Sequence, residues 1–210
     1  PGVASGTELM SGLYVHGGDG SDNLFLLDGV PIYQVSHLGG LFSSFNTDVI
    51  ENIDFYKSGF PARFGGKMSS VVDITTRDGN FYDYHGTFAI GLIDGHLQFE
   101  GPIVKGKTSF NVGLRRTWIE TISEPILYFF NKENQPDKLT LGYSFSDLNA
   151  KVTHKFSPKN TLRGSFYMGR DVFRYKQYNF SEYYQVGEDG VAEIHRQQEN
   201  DMGIPMNWGN

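Results

Sequence analysis

From residue 85 onward, apolar and polar side chains alternate along several short stretches, and few architectures accept that pattern. Phe88, Ile90 and Leu92 share one face of such a stretch, as do Leu97 and Phe99 of the next. Phe110, Val112 and Leu114 oppose Asn111, Gly113 and Arg115. Leu148, Ala150 and Val152 oppose Asn149, Lys151 and Thr153, and Leu162, Phe166 and Met168 oppose Arg163, Ser165 and Tyr167. A period of two sends successive side chains to opposite faces of a β-strand. Each strand therefore carries one apolar and one polar face. Two environments suit it: a half-buried antiparallel sheet in water, or a barrel with lipid outside and water inside.

Alternation alone allows both, and connection lengths separate them. Membrane barrels join strands by short turns at one end and long loops at the other. The links at 104–106 and 157–160 are short, whereas 119–142 and about 177–190 are long. This asymmetry favours the barrel, with about six strands in residues 81–210. No run of 18 apolar residues occurs, which excludes a conventional spanning helix and leaves barrel spans of about 10 residues open. Glycine (26 residues) and aromatics (15%) favour strands and turns over helices. The chain starts at Pro1 without a signal peptide, the mark of a fragment or mature piece.

Residues 12–80 have a different grammar. Residues 1–11 receive no element, and 13–16 form a short strand ending at Gly17-Gly18, followed by an Asx-rich tip, DGSDN. Leu24 to Leu27 reads as a strand buried on both faces. Asp28-Gly29 suits a type I′ hairpin turn, and Pro31, lacking an N–H, places the returning strand at a sheet edge. Asn46 or Thr47 caps a short helix near 47–51, with Asp48 and Glu51 in its first turn. Strands over 52–57, with Ile53 and Phe55 on one face, and over 70–76 complete a small mixed sheet.

The chemistry-bearing motifs are weak. GPIVKGKT at 101–108 satisfies the phosphate-loop pattern, but phosphate binding needs a helix after Lys107-Thr108, and SFNVGLR alternates as a strand. No nucleotide site is expected. DGSDNL lacks the glycine that an EF-hand loop needs at its sixth position, and the histidines at 16, 37, 85, 96, 154 and 195 have no zinc spacing. The chain has no cysteine and no GxSxG elbow. No metal, cofactor or catalytic residue is therefore expected, and the reading is not an enzyme. A net charge of −6 without a basic stripe makes nucleic acid a poor partner. The aromatic run at 175–184 suits an interfacial girdle or an outer loop better than a stacking site.

The order of the LLDG hairpin, the FNTDVI turn into a strand, the PARFGG loop and the SSVVDITTR strand resembles the plug of a TonB-dependent outer-membrane receptor, of the branch that carries nutrients into Bacteroides-type bacteria. The resemblance implies a mainly β chain: a small mixed α+β plug portion over 1–80, then the first antiparallel strands of a transmembrane β-barrel over 81–210, incomplete in this chain. It further implies a receptor in the outer membrane of a Gram-negative bacterium. Such a receptor binds a scarce nutrient (glycan, iron chelate or vitamin) and imports it when TonB, acting through a plug segment missing here, moves the plug. Outer-membrane lipid and a surface lipoprotein are the other partners it suggests. By position, the plug tips that face ligand are His16, Asp19, Tyr33, Gln34 and His37. His16 stands where family members often carry arginine. The competing reading is a soluble or surface β-rich carbohydrate-binding module without transport activity.

Overall fold

The computed structural model describes residues 3–5, 13–15, 22–57, 59, 61–65, 69–133, 138–178, 182–186, 192–196 and 199–209. Two compact units make up the chain: Pro1–Arg116 with Ser146–Arg170 and Asn207–Asn210, and Thr117–Phe145 with Asp171–Met206.

In the larger unit β1 (Val3–Ser5) pairs antiparallel with β2 (Leu13–Val15), so the first residues, given no element above, contribute a strand. A four-stranded sheet follows in the order β4-β3-β8-β7, from β3 (Asn23–Leu27), β4 (Val30–Pro31), β7 (Ile50–Tyr56) and β8 (Ser70–Thr76). It is mixed as expected: β3 runs parallel to β8, and the other two pairings are antiparallel. Asp28 (φ 49°) and Gly29 (φ 84°) both take the left-handed conformation that a type I′ turn demands, and the Pro31 strand lies at the edge. Between β4 and β7, β5 (Ser36–His37) and β6 (Phe42–Ser43) form a small hairpin around a 3₁₀ turn at Leu38–Gly40.

The expected helix near 47–51 is a single 3₁₀ turn, Thr47–Val49, and the strand already begins at Ile50. Asn46 caps it, its Oδ1 accepting from the Asp48 N–H at 3.0 Å. Val49 is buried in the turn, and the β-region backbone at Ile50 ends it. One face of the four-stranded sheet supplies the core: Leu27, Val72 and Ile74 with Ile32 and Tyr167, flanked by Phe25, Val35, Phe45 and Ile50. Each fully buried aliphatic side chain of this kind stabilises by about 1.5–3 kcal/mol.

The alternating region forms a six-stranded sheet, order β16-β13-β12-β11-β10-β9. Its strands are β9 (His85–Ile90), β10 (Asp94–Val104), β11 (Thr108–Thr117), β12 (Lys138–Ser157), β13 (Asn160–Tyr178) and β16 (Glu199–Gly209). Register keeps like with like. Phe110 faces Val152, Val112 faces Ala150 and Leu114 faces Leu148 on one surface; Ser109 faces Thr153, Asn111 faces Lys151 and Arg115 faces Asp147 on the other. The burial of these two surfaces is the reverse of a water-soluble sheet. Phe88, Ile90, Leu97, Phe99, Leu114, Val152, Phe166 and Met168 are exposed, whereas Gln98, Ser109, Asn111, Asp147, Asn149, Lys151 and Thr153 are buried.

In the larger unit, the polar surface of this sheet packs against the four-stranded one. Asn111 Nδ2 donates to the Arg77 carbonyl at 3.2 Å and Ser109 Oγ to that of Asp78 at 2.6 Å. Gly113 receives Val49 at the same contact, and a β-carbon on Gly113 would overlap the Val49 side chain.

In the smaller unit, the long connection after β11 contains a helix that sequence reading treated as loop, α1 (Ile119–Glu133). Two of its polar side chains bind the backbone at the start of β12. Asn131 exchanges two hydrogen bonds with Leu139 (2.8 and 2.7 Å), and Ser123 Oγ donates to the Leu141 carbonyl at 2.9 Å. The connection after β13 holds a second addition, the hairpin of β14 (Glu182–Val186) and β15 (Ala192–Arg196). The aromatic run 175–184 lies partly outside the described residues.

Candidate functional site

Two polar clusters in the larger unit join the hairpins of the four-stranded sheet to the inward side chains of β11, β12 and β13. The first gathers at the Asp28-Gly29 turn. Asp28 accepts from the Thr76 N–H (3.0 Å) and hydroxyl (2.6 Å), which fastens the turn to the end of β8. Lys151, 4% exposed, donates to Asp28 (3.0 Å) and to the Thr76 carbonyl (2.7 Å) and lies 3.3 Å from Asp78. Arg163 Nε donates to both Asp78 oxygens at 2.9 and 3.0 Å. Burial alone would raise the Asp78 pKa, but the Arg163 hydrogen bond and the charges of Lys151 and Arg163 outweigh it and hold the carboxyl below its usual value. A cleft of about 410 Å³ opens beside these groups, lined also by Glu51, Asp73 and Thr75.

The second cluster centres on Asp147. The carboxylate accepts from His37 Nε2 (3.0 and 3.2 Å), from Arg115 (Nε 3.1 Å, Nη2 2.6 Å) and from the Tyr167 hydroxyl (3.2 Å). Arg115 also donates to the Ser43 carbonyl and Tyr167 to that of Ser44, so both strands of the β5–β6 hairpin are gripped. Many donors on one buried carboxylate are what make such a charge tolerable away from water.

The five expected tip residues separate under this geometry. Tyr33 is 90% exposed and Gln34 is exposed, its Nε2 donating to the Ser36 carbonyl at 2.6 Å. His37 departs from the expected open tip: its ring is 0% exposed and turned onto Asp147, because the 3₁₀ turn after it folds the hairpin back against β12. His16 and Asp19 lie outside the described residues, as does the loop weighed for calcium. Sequence reading missed Asp28, Asp78, Arg115 and Asp147 as a set. The available signal was charge at inward parity in Arg115, Lys151 and Arg163, a costly placement unless an opposite charge waits there.

The phosphate-loop pattern occupies a β-turn. Lys107 N–H donates to the Val104 carbonyl at 2.9 Å, β11 starts at Thr108, and the Thr108 hydroxyl meets His154 Nδ1 at 2.8 Å. A strand, not a helix N-terminus, follows Lys107-Thr108. No group of three metal-ligating side chains exists among the described residues, and no described helix is long and apolar enough to cross a membrane.

Residues 1–72 match the family described as TonB-dependent Receptor Plug Domain. Over these residues the chain is similar to that plug. The matched residues take in β3, β4, β7 and the start of β8 of the four-stranded sheet, and the six-stranded sheet follows them in sequence. Among solved structures, the siderophore receptor PirA from Acinetobacter baumannii aligns at 15% identity and a TM-score of 0.49, over 99% of this chain and 40% of its own length. This chain thus spans less than half of that receptor. No curated protein matches the chain.

Proposed function

We propose that this chain is the plug portion and first wall strands of an outer-membrane receptor that binds a scarce nutrient (glycan, iron chelate or vitamin) and admits it when TonB acts on the plug. The observation that carries the reading is the reversed burial of the wall sheet. Apolar side chains such as Phe88 (69% exposed) face out, and Lys151 and Asn149 face the plug. A sheet of this kind is stable with hydrocarbon outside and a polar filling inside. A water-soluble carbohydrate-binding module would place the same stripes the other way round.

In this proposal Tyr33 and Gln34 contact ligand from the plug tip, and His16 and Asp19 belong to the neighbouring tip. His37 acts from behind them. Outer-membrane lipid meets the Phe88, Leu114 and Val152 stripes, and a surface lipoprotein is a further partner of the complete receptor. The plug spans 1–80 and the wall 81–210. Deleting the complete gene and growing the strain on single glycans, iron chelates and vitamins tests the reading. Loss of growth on one nutrient, restored by the intact gene and weakened by Tyr33→Ala with Gln34→Ala, is expected. Full growth on every nutrient, or a complete protein that stays monomeric in detergent-free buffer, overturns it.

A further inference from the structure

The β5–β6 hairpin contains a backbone feature that the wall contacts explain. Leu38, the residue after His37, has φ +49°, a left-handed conformation in which an L-residue with a β-carbon is disfavoured by about a factor of ten. A β-turn can escape such a conformation by rotating its peptide groups, provided that its flanks are free to move. Here neither flank is free. On one side the His37 ring is buried on Asp147. On the other, Arg115 and Tyr167 hold the Ser43 and Ser44 carbonyls, and the Ser44 N–H donates to the Val35 carbonyl at 3.0 Å. Strained residues persist where surrounding contacts over-determine them, and they cluster at active sites, ligand clamps and switch regions.

We propose that His37 is a positioning residue that works as a latch. Its bond to Asp147 keeps Leu38 left-handed and the hairpin seated on β12, and so fixes where Tyr33 and Gln34 stand; this last step rests on the receptor reading. The latch joins residues 110 apart in sequence, so the barrel wall sets the plug tip. Once the His37 bond is lost, Leu38 relaxes and the His37 side of the hairpin lifts from the wall, while Arg115 and Tyr167 still hold the Ser43 and Ser44 carbonyls. The carboxylate keeps Arg115 and Tyr167 as donors, so releasing the histidine does not strand a buried charge.

Hydrogen–deuterium exchange on the complete receptor in detergent micelles, followed over residues 33–44, tests the latch without any nutrient. His37→Ala is expected to speed exchange there by about tenfold or more. His37→Gln, whose amide can still donate to Asp147, should stay within about threefold of wild type. Leu38→Gly removes the left-handed penalty and should slow exchange several-fold; combined with His37→Ala it should bring the rate back near wild type. A fluorinated tyrosine at position 33 should give a shifted or second resonance in His37→Ala that His37→Gln restores. Unchanged exchange in His37→Ala, faster exchange in Leu38→Gly, or an unmoved Tyr33 resonance each overturns the proposal. Because no nutrient enters these measurements, failure of the nutrient assay and failure of the latch are separate results.

Discussion

In the plug sheet Val72 and Ile74 point toward the wall and leave solvent, while in the wall sheet Val152 and Phe166 point away from the plug and stand open, and Lys151 and Asn149 are covered. Both sheets are built from alternating strands, yet the hydrophobic faces of the two point the same way through the structure. Among the described residues, the plug sheet has its apolar face covered and the wall sheet does not. Its contact with the wall is therefore asymmetric: an apolar core backed by Tyr167, edged by ion pairs in which the plug provides Asp28 and Asp78 and the wall provides Lys151 and Arg163. Alternation reports that a strand has two faces. Which solvent each face meets is decided by what the charged residues find opposite them.

The strongest way to break the contrast is to remove the covered cation. Lys151→Met leaves Asp28 and Asp78 short of a partner, and losing one member of a buried ion pair costs about 3–5 kcal/mol. The complete protein in detergent should show a lower thermal midpoint and faster proteolysis of the four-stranded sheet; an unchanged midpoint would mean that the pairing is idle.

Next comes polarity on the two outer surfaces. Val152→Arg on the wall should destabilise by about 2–4 kcal/mol if lipid lies there, whereas Asn52→Lys, at an exposed position paired with Thr75 on the face opposite Ile74, should stay within about 0.5 kcal/mol. Folding titrations into lipid vesicles measure both, and equal costs would erase the distinction between the sheets. A smaller effect is expected at the keyed contact. Gly113→Ala forces a β-carbon into Val49 and should cost about 1–3 kcal/mol, with Val49→Ala relieving part of it in a double-mutant cycle.

The smallest effect is on pH. The Asp78 carboxyl titrates below its usual value in the folded protein, so its contribution is fully present above the unfolded carboxylate pKa of about 4 and is lost as pH falls through the folded value. The midpoint difference between wild type and Asp78→Asn should therefore be constant from about pH 7 to 5 and shrink below about pH 4. A difference that grows on acidification would contradict the Arg163 and Lys151 interactions.

Much of the plug sheet was legible because its signals are local. Asp28-Gly29 needs positive φ, Pro31 needs an edge, and Asn46 caps the turn that follows it; each constraint acts within a few residues. The wall strands were legible from their period. What escaped had competing or distant causes. Ile119, Ile122 and Ile126 have helical spacing, but Pro125 inside the run reads as a break, so α1 passed for a loop. Val3–Ser5 is too short to announce itself without its partner at Leu13–Val15. His37 reads as an exposed tip from its neighbours, and its burial depends on Asp147, which lies in another sheet and far along the chain. The polar clusters could be anticipated only as a need for partners, with their identities set by tertiary register.

The seat that Gly113 offers Val49 has a consequence across descent. The two positions lie in different sheets and share one small volume, so neither can change size alone without cost. Lineages that enlarge position 113 should be found to have reduced position 49, and a larger residue at 49 should occur only where 113 remains glycine. The contact would then be recorded as paired variation between the Thr47–Val49 turn and β11, and genomes could show that the two sheets of this chain have been inherited as fitted parts.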